Sequence, residues 1–174
     1  DPHPNGQRFL IAADEGVWSY DPAADLVQPY SAGLPTDDLG RWACQFSTSS
    51  NSGIAPIFLV NKSGQVWMLN RTTQSWELSL DTGLLDDRGQ IAVLPSFDET
   101  APSGHLQTVA AAVQGVLFLS LDGGASWQIN ANFASPSTGP TEPLITALEF
   151  AHDYPQSGGM VLATENRQRM RESG

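Results

Sequence analysis

Phe58-Leu-Val-Asn-Lys-Ser-Gly-Gln-Val-Trp-Met-Leu69 decides the fold. An apolar run, a short polar turn containing glycine and a second apolar run form the pattern of a β-hairpin. The same pattern stands at Phe9-Leu-Ile-Ala-Ala-Asp-Glu-Gly-Val-Trp-Ser-Tyr20 and at Val109-Ala-Ala-Ala-Val-Gln-Gly-Val-Leu-Phe-Leu119. Val17, Val66 and Val116 anchor the three copies, at spacings of 49 and 50 residues. The flanks repeat as well. Ser31-Ala-Gly-Leu-Pro35 and Asp81-Thr-Gly-Leu-Leu85 place Gly33 and Gly83 50 residues apart, and an acidic pair follows each, Asp37-Asp38 and Asp86-Asp87. A short apolar strand comes next, Trp42 to Phe46 and Ile91 to Leu94, with Ile145-Thr-Ala-Leu-Glu-Phe150 as a third copy. Met160-Val-Leu-Ala-Thr164 reads as the opening of a fourth hairpin.

Each unit reads as an inner strand, a hairpin and an outer strand that ends near Trp76 or Trp127, after which a Gly-Leu linker opens the next unit. Four short strands recurring every 40–50 residues are the signature of a β-propeller blade. A β-solenoid repeats at about half that period or less, and a sandwich does not repeat its turns and linkers so regularly. The expected fold is all-β, in blades of four antiparallel strands, with units at approximately 8–30, 40–80, 90–130 and 144–174. Strands are predicted near 9–13, 17–20, 42–46, 57–60, 66–69, 91–94, 108–113, 116–120 and 145–150, and residues 165–174 are polar and uninformative. The units amount to about three and a half blades. They open in a second strand near Arg8 and stop in a third strand near Met170, so the expectation is a segment of a larger propeller of about six to eight blades.

Composition narrows the function classes. The chain has 174 residues, 40% apolar and 16% charged, with 16 glycines and 12 prolines. This suits one turn-rich globular domain. It excludes a collagen, a coiled coil, a disulfide-stapled miniprotein and a helical membrane span, since no apolar run approaches about 18 residues. No charged-then-apolar N-terminal stretch reads as a signal peptide, although a mature chain would already have lost one. The net charge is −11, and residues 1–166 hold 5 basic against 18 acidic residues. Such a surface repels a phosphate backbone and an anionic bilayer, which argues against nucleic acid and membrane insertion. It accommodates a basic protein partner or a divalent cation, and it also keeps a β-rich chain soluble. Cys44, the single cysteine, cannot form an internal disulfide and sits with Trp42 and Phe46 on one face of a strand. No Cys/His pair has zinc-ligand spacing, and no cofactor is implied.

Ser120-Leu-Asp-Gly-Gly-Ala-Ser-Trp127 matches the Asp-box pattern Ser-x-Asp-x-Gly-x-x-Trp at Ser120, Asp122, Gly124 and Trp127. The third unit resembles the blades of BNR, or sialidase-type, Asp-box propellers, and residues 146–164 resemble the inner strand and hairpin opening of secreted bacterial members. The second unit departs from the pattern: Asn70-Arg-Thr-Thr-Gln-Ser-Trp76 keeps the tryptophan but not the aspartate or the glycine. The first keeps Asp21 and an apolar end at Leu26-Val27. The resemblance implies a turn at the blade periphery, remote from the axial face where sialidases bind substrate. It assigns the box residues to the fold and suggests a secreted or periplasmic location. Locally, an aspartate at a tight turn accepts backbone N–H groups, glycine permits positive φ, and the tryptophan returns to bury its ring.

No catalytic set is complete. Sialidases grip a carboxylate with clustered arginines and use a Tyr/Glu nucleophile pair. Here Arg41 and Arg88 precede inner strands and Arg71 falls in the degenerate box turn, while neither Tyr20 nor Tyr30 forms a recognisable Tyr/Glu pair. The family also includes propeller xyloglucanases with two catalytic aspartates. Asp37, Asp38, Asp86 and Asp87 recur at one register, so they and Arg41 and Arg88 would ring one face. Paired carboxylates can serve as acid and base, but aspartates after a Gly-Leu linker ordinarily cap turns and face water. His3, His105 and His152 are scattered. Asn61-Lys-Ser63 and Asn70-Arg-Thr72 are glycosylation sequons of a kind common by chance. The expected function is a non-enzymatic protein-binding or assembly scaffold with that acidic register as its binding face. A glycoside hydrolase that takes glycan there is the alternative.

Overall fold

The computed structural model describes residues 2–3, 6–7, 9–13, 16–35, 43–46, 56–84, 89–102, 105–132, 141–151, 154 and 159–168. These residues are all-β. A two-residue ladder, β1 (Pro2–His3) with β2 (Gly6–Gln7), precedes four larger antiparallel sheets. The first sheet holds β3 (Phe9–Ala13), β4 (Gly16–Asp21) and β5 (Leu26–Pro29). The second holds β6 (Ala43–Phe46), β7 (Ile57–Val60), β8 (Gln65–Asn70) and β9 (Ser75–Asp81). The third holds β10 (Gln90–Val93), β11 (Val109–Val113), β12 (Val116–Ser120) and β13 (Gln128–Asn132), with a 3-10 turn at His105–Gln107 in the β10–β11 connection. The fourth holds β14 (Thr141–Phe150) and β15 (Met160–Gln168). Each sheet runs in chain order, strand beside next strand, with every neighbouring pair antiparallel.

The apolar runs are continuous because the sheets stack. In β7 the side chains alternate between two cores. Ile57 and Leu59 join Val17, Leu34, Leu69 and Trp76 between the first and second sheets. Phe58 and Val60 join the core shared by the second, third and fourth sheets. A strand buried on both faces carries no polar alternation. In β11, Val109-Ala-Ala-Ala-Val113 is buried throughout, and its three small alanines take up little of the space between the neighbouring sheets. β10 lies against both β6 and β14, so the first strands of the second, third and fourth sheets are neighbours. Phe150 and Tyr154 meet edge to face at 4.7 Å and help close the far side of this core.

Several expectations are corrected. The outer strands begin beside Trp76 and Trp127 instead of ending there, since β9 and β13 run on to Asp81 and Asn132. The polar stretch after Thr164 continues β15 to Gln168, paired with Thr141 to Leu144 beyond a register shift between Ile145 and Ala147. Backbone pairing holds it without an apolar signal. Phe9 does not match Phe58. The β3–β4 turn is one residue shorter than the β7–β8 turn, so Val17 pairs with Ala12 where Val66 pairs with Val60. This puts Phe9 and Ile11 in the places of Ile57 and Leu59. Trp42, residues 169–174 and the side chains of β6, Cys44 included, lie outside the described residues.

Val66 is fully buried and Val27 is 55% exposed. Val66→Ala should therefore cost about 2 kcal/mol through two lost methyl groups and a residual cavity. Val27→Ala should stay within about 0.5 kcal/mol. Urea melts of both variants check this, and equal effects would contradict the burial of β8 between two sheets.

Candidate functional site

The strand that follows the hairpin turn ends on a polar residue in each of the first three large sheets: Asp21 ends β4, Asn70 ends β8 and Ser120 ends β12, again 49 and 50 residues apart. A strand end leaves backbone N–H groups with no ladder partner, and a short oxygen-bearing side chain can accept them. Asp21 Oδ1 accepts the N–H groups of Ala23 and Ala24 at 2.9 and 3.2 Å. Asn70 Oδ1 accepts those of Thr72 and Thr73 at 3.0 and 3.1 Å. Ser120 Oγ accepts that of Gly124 at 2.8 Å. Four residues beyond each cap the backbone has positive φ, at Asp25 (49°), Gln74 (55°) and Gly124 (92°). The second unit thus replaces the box aspartate with Asn70 acting two positions earlier, at the place of Ser120. The sequence pattern concealed this because the motif scores position Asp122 and not the strand end.

The intact box adds a second layer. Asp122 Oδ1 accepts the Ser126 N–H at 2.8 Å and the Ser120 hydroxyl at 2.8 Å, and Asp122 Oδ2 accepts the Ser126 hydroxyl at 2.5 Å. Partial burial opposes ionisation of Asp122, but the hydrogen bonds from Ser126 and Ser120 together outweigh it and hold the carboxyl below its ordinary value. The Gly123 N–H donates to the Gln107 carbonyl, tying the box to the β10–β11 connection of its own sheet. A Cβ on Gly124 would stand 2.8 Å from the Phe58 ring and 3.0 Å from Ser79 Oγ, so this position excludes a side chain on two counts.

The tryptophans cross to the preceding unit. Trp127 Nε1 donates to Ser79 Oγ at 2.9 Å, and Ser79 Oγ donates to the Gly124 carbonyl at 2.6 Å. Trp76 Nε1 donates to the Tyr30 carbonyl at 2.7 Å, and the Trp76 backbone N–H donates to the Ala32 carbonyl at 2.7 Å. Tyr30 and Ser79 are themselves 49 residues apart. Ser120, Asp122, Gly124 and Trp127 are therefore brought together in one turn that is bonded within itself and to Ser79. Nearby, desolvation lowers the pKa of Arg71, and Glu99 and Tyr30 oppose that shift. Arg71 stays charged throughout, since arginine does not lose its proton in proteins.

Asp37, Asp38, Arg41, Asp86, Asp87 and Arg88 lie outside the described residues, as does His152. Asn61 is buried with its amide bonded to Gln65, which removes it as a glycan acceptor. Among the described residues no group of three or more His, Cys, Asp or Glu side chains is placed to hold a metal ion, and no helix is long and apolar enough to cross a membrane. In comparisons with known proteins no family model matches the chain, and no curated protein or solved structure matches it.

Gly124→Ala should destabilise the protein by about 1–3 kcal/mol through positive φ alone, with the Phe58 contact adding to it. Asp122→Ala should cost about 0.5–1.5 kcal/mol by removing the hydrogen bonds of the turn, since the Ser126 donors are exposed and can turn to water. The ionised Asp122 contributes stability above the unfolded carboxyl pKa of about 3.9, and that increment is lost as pH falls through the lower folded value. The stability gap between wild type and Asp122→Asn, read from denaturant melts, should be widest near neutrality and shrink below about pH 4. A gap independent of pH would remove the carboxylate from the account.

Proposed function

We propose that the chain is a non-enzymatic protein-binding or assembly scaffold built from Asp-box propeller blades, of the BNR type that the Ser120–Trp127 motif resembles. The observation that carries this reading is the use of the motif. Ser120, Asp122, Gly124 and Trp127 spend their polar groups on one turn and on the sheet before it, which is the work of a fold determinant and not of a reacting site. Three further features support the blade reading. The sheets are antiparallel with strands in simple succession. The first strands β6, β10 and β14 are neighbours in that order. Caps, positive-φ residues and indole bonds recur at the same interval.

Blades arranged about an axis bring equivalent linkers to one end of the ring. Asp37-Asp38 and Asp86-Asp87 follow equivalent Gly-Leu linkers, so in this reading they share a face, opposed by Arg41 and Arg88. The partner is a basic protein, bound in a salt-sensitive way. The location that accompanies the reading is secreted or periplasmic.

The test is binding to a lysine-rich polypeptide at low and at physiological salt. Wild type should bind more weakly as salt rises. Changing Asp37, Asp38, Asp86 and Asp87 together to asparagine should abolish the salt-dependent part and leave the circular dichroism spectrum unchanged. Release of reducing sugar from a polysaccharide by wild type, lost in the same variant, would instead establish the hydrolase.

A further inference from the structure

The strand-end caps differ in one chemical respect. Asp21, Asn70 and Ser120 all close their turns through a side-chain oxygen, but among the three only Asn70 also carries an amide nitrogen. Its carboxamide divides the work. Oδ1 accepts the N–H groups of Thr72 and Thr73. Nδ2 donates to Glu77 Oε1 at 2.7 Å, in a bond at the exposed surface. An amide nitrogen has two hydrogens, and this bond uses one of them. Thr72, Thr73 and Gln74 beside it are exposed.

Asn70-Arg71-Thr72 is also an Asn-x-Thr sequon without proline at its middle position. Asn61-Lys62-Ser63 has the same form and the opposite surroundings. Asn61 is 1% exposed, its Nδ2 donates to Gln65 Oε1, and its Oδ1 accepts the Gln65 N–H. A substituent on that nitrogen would displace Gln65 from a buried turn. The sequence form does not tell the two sequons apart, and the surroundings do.

We propose that Asn70 is an N-glycan acceptor and that Asn61 is not. The donor is an oligosaccharide carried on a lipid diphosphate. Nδ2 bonds to the anomeric carbon of the first sugar, the bond from that carbon to the diphosphate oxygen breaks, the amide gives up one proton, and the lipid diphosphate leaves. Nothing is oxidised or reduced. The product is a secondary amide, so the Oδ1 cap is untouched and one N–H remains for Glu77. The strand keeps this site apart from the linker. Gly64, in the turn before β8, accepts the Thr82 hydroxyl of the linker through its carbonyl, whereas Asn70 ends β8 about 17 Å further along. The glycan therefore stands at the box-turn end and leaves free the linker end, which the proposed acidic register follows in sequence. The inference rests on the secreted location proposed above, where the chain meets a transferase, and not on the scaffold reading.

The full chain, directed through the secretory pathway of a eukaryotic cell and recovered from cells and medium, tests it. Peptide mapping by mass spectrometry should find a glycan at Asn70 and none at Asn61, and amidase treatment should remove it and leave aspartate at position 70. Asn70→Gln should abolish the glycan. Thr72→Ala should abolish it too while keeping the cap, because the donor there is the backbone N–H of residue 72; loss of the glycan in that variant is not loss of the turn. The circular dichroism spectrum should be the same with and without the glycan. A chain recovered without a glycan, a glycan at Asn61, or a glycan that survives Thr72→Ala would overturn the proposal. Each of these outcomes leaves the scaffold reading to its own test with the lysine-rich polypeptide.

Discussion

The indole N–H of Trp76 and that of Trp127 each reach back to the preceding unit, to the Tyr30 carbonyl and to Ser79 Oγ. The rest of the architecture depends on this contact. Stacked sheets hold one another by apolar burial, which is strong but has no direction. A buried indole N–H without a partner is costly, so the donor fixes how far and in what register one sheet lies over the next. The Trp76 ring is buried among Ile57, Leu59 and Leu69, which joins a large apolar area to a directional bond. The linker obeys the same constraint. At Gly33 a Cβ would collide with the Trp76 carbonyl, and φ there is 90°, so only glycine lets the chain pass this close.

The contact works because the turn before it is held in shape. Asp21, Asn70 and Ser120 each close the turn at the end of β4, β8 and β12. A positive-φ residue four positions later sends the chain back toward the sheet. In the third unit Asp122 and Gly124 elaborate the turn, and Gly124 brings its carbonyl to Ser79 and its Cα to the Phe58 ring. The motif read as a signature is thus the most developed of three versions of one device.

The fold was largely legible because its two strongest signals are local. Alternating burial on both faces of β7 produced the run Ile57-Phe-Leu-Val60, and the turn glycines marked the hairpin ends. The nine predicted strands coincide with β3, β4, β6, β7, β8, β10, β11, β12 and β14 to within a few residues. Less was legible where the signal is carried by the backbone. β5 and β13 carry polar or exposed side chains, and β15 runs through Glu165-Asn166-Arg167-Gln168 on ladder pairing. The one-residue difference between the β3–β4 and β7–β8 turns was invisible because Phe9 and Phe58 look alike in an alignment. That single residue decides which side chains of the first sheet face outward. The candidate binding register could be proposed from its spacing after the linkers, whereas the three strand-end caps went unread because an Asp, an Asn and a Ser share an oxygen and not a letter.

Hydrogen exchange of the tryptophan indole protons tests the central claim most directly. If the indole bonds fix the stacking, the Nε1 protons of Trp76 and Trp127 should exchange only through the global opening that also releases the backbone amides of β11 and β12. Indole protons that exchange rapidly while those amides stay protected would mean that apolar burial alone sets the stacking, and would contradict the account.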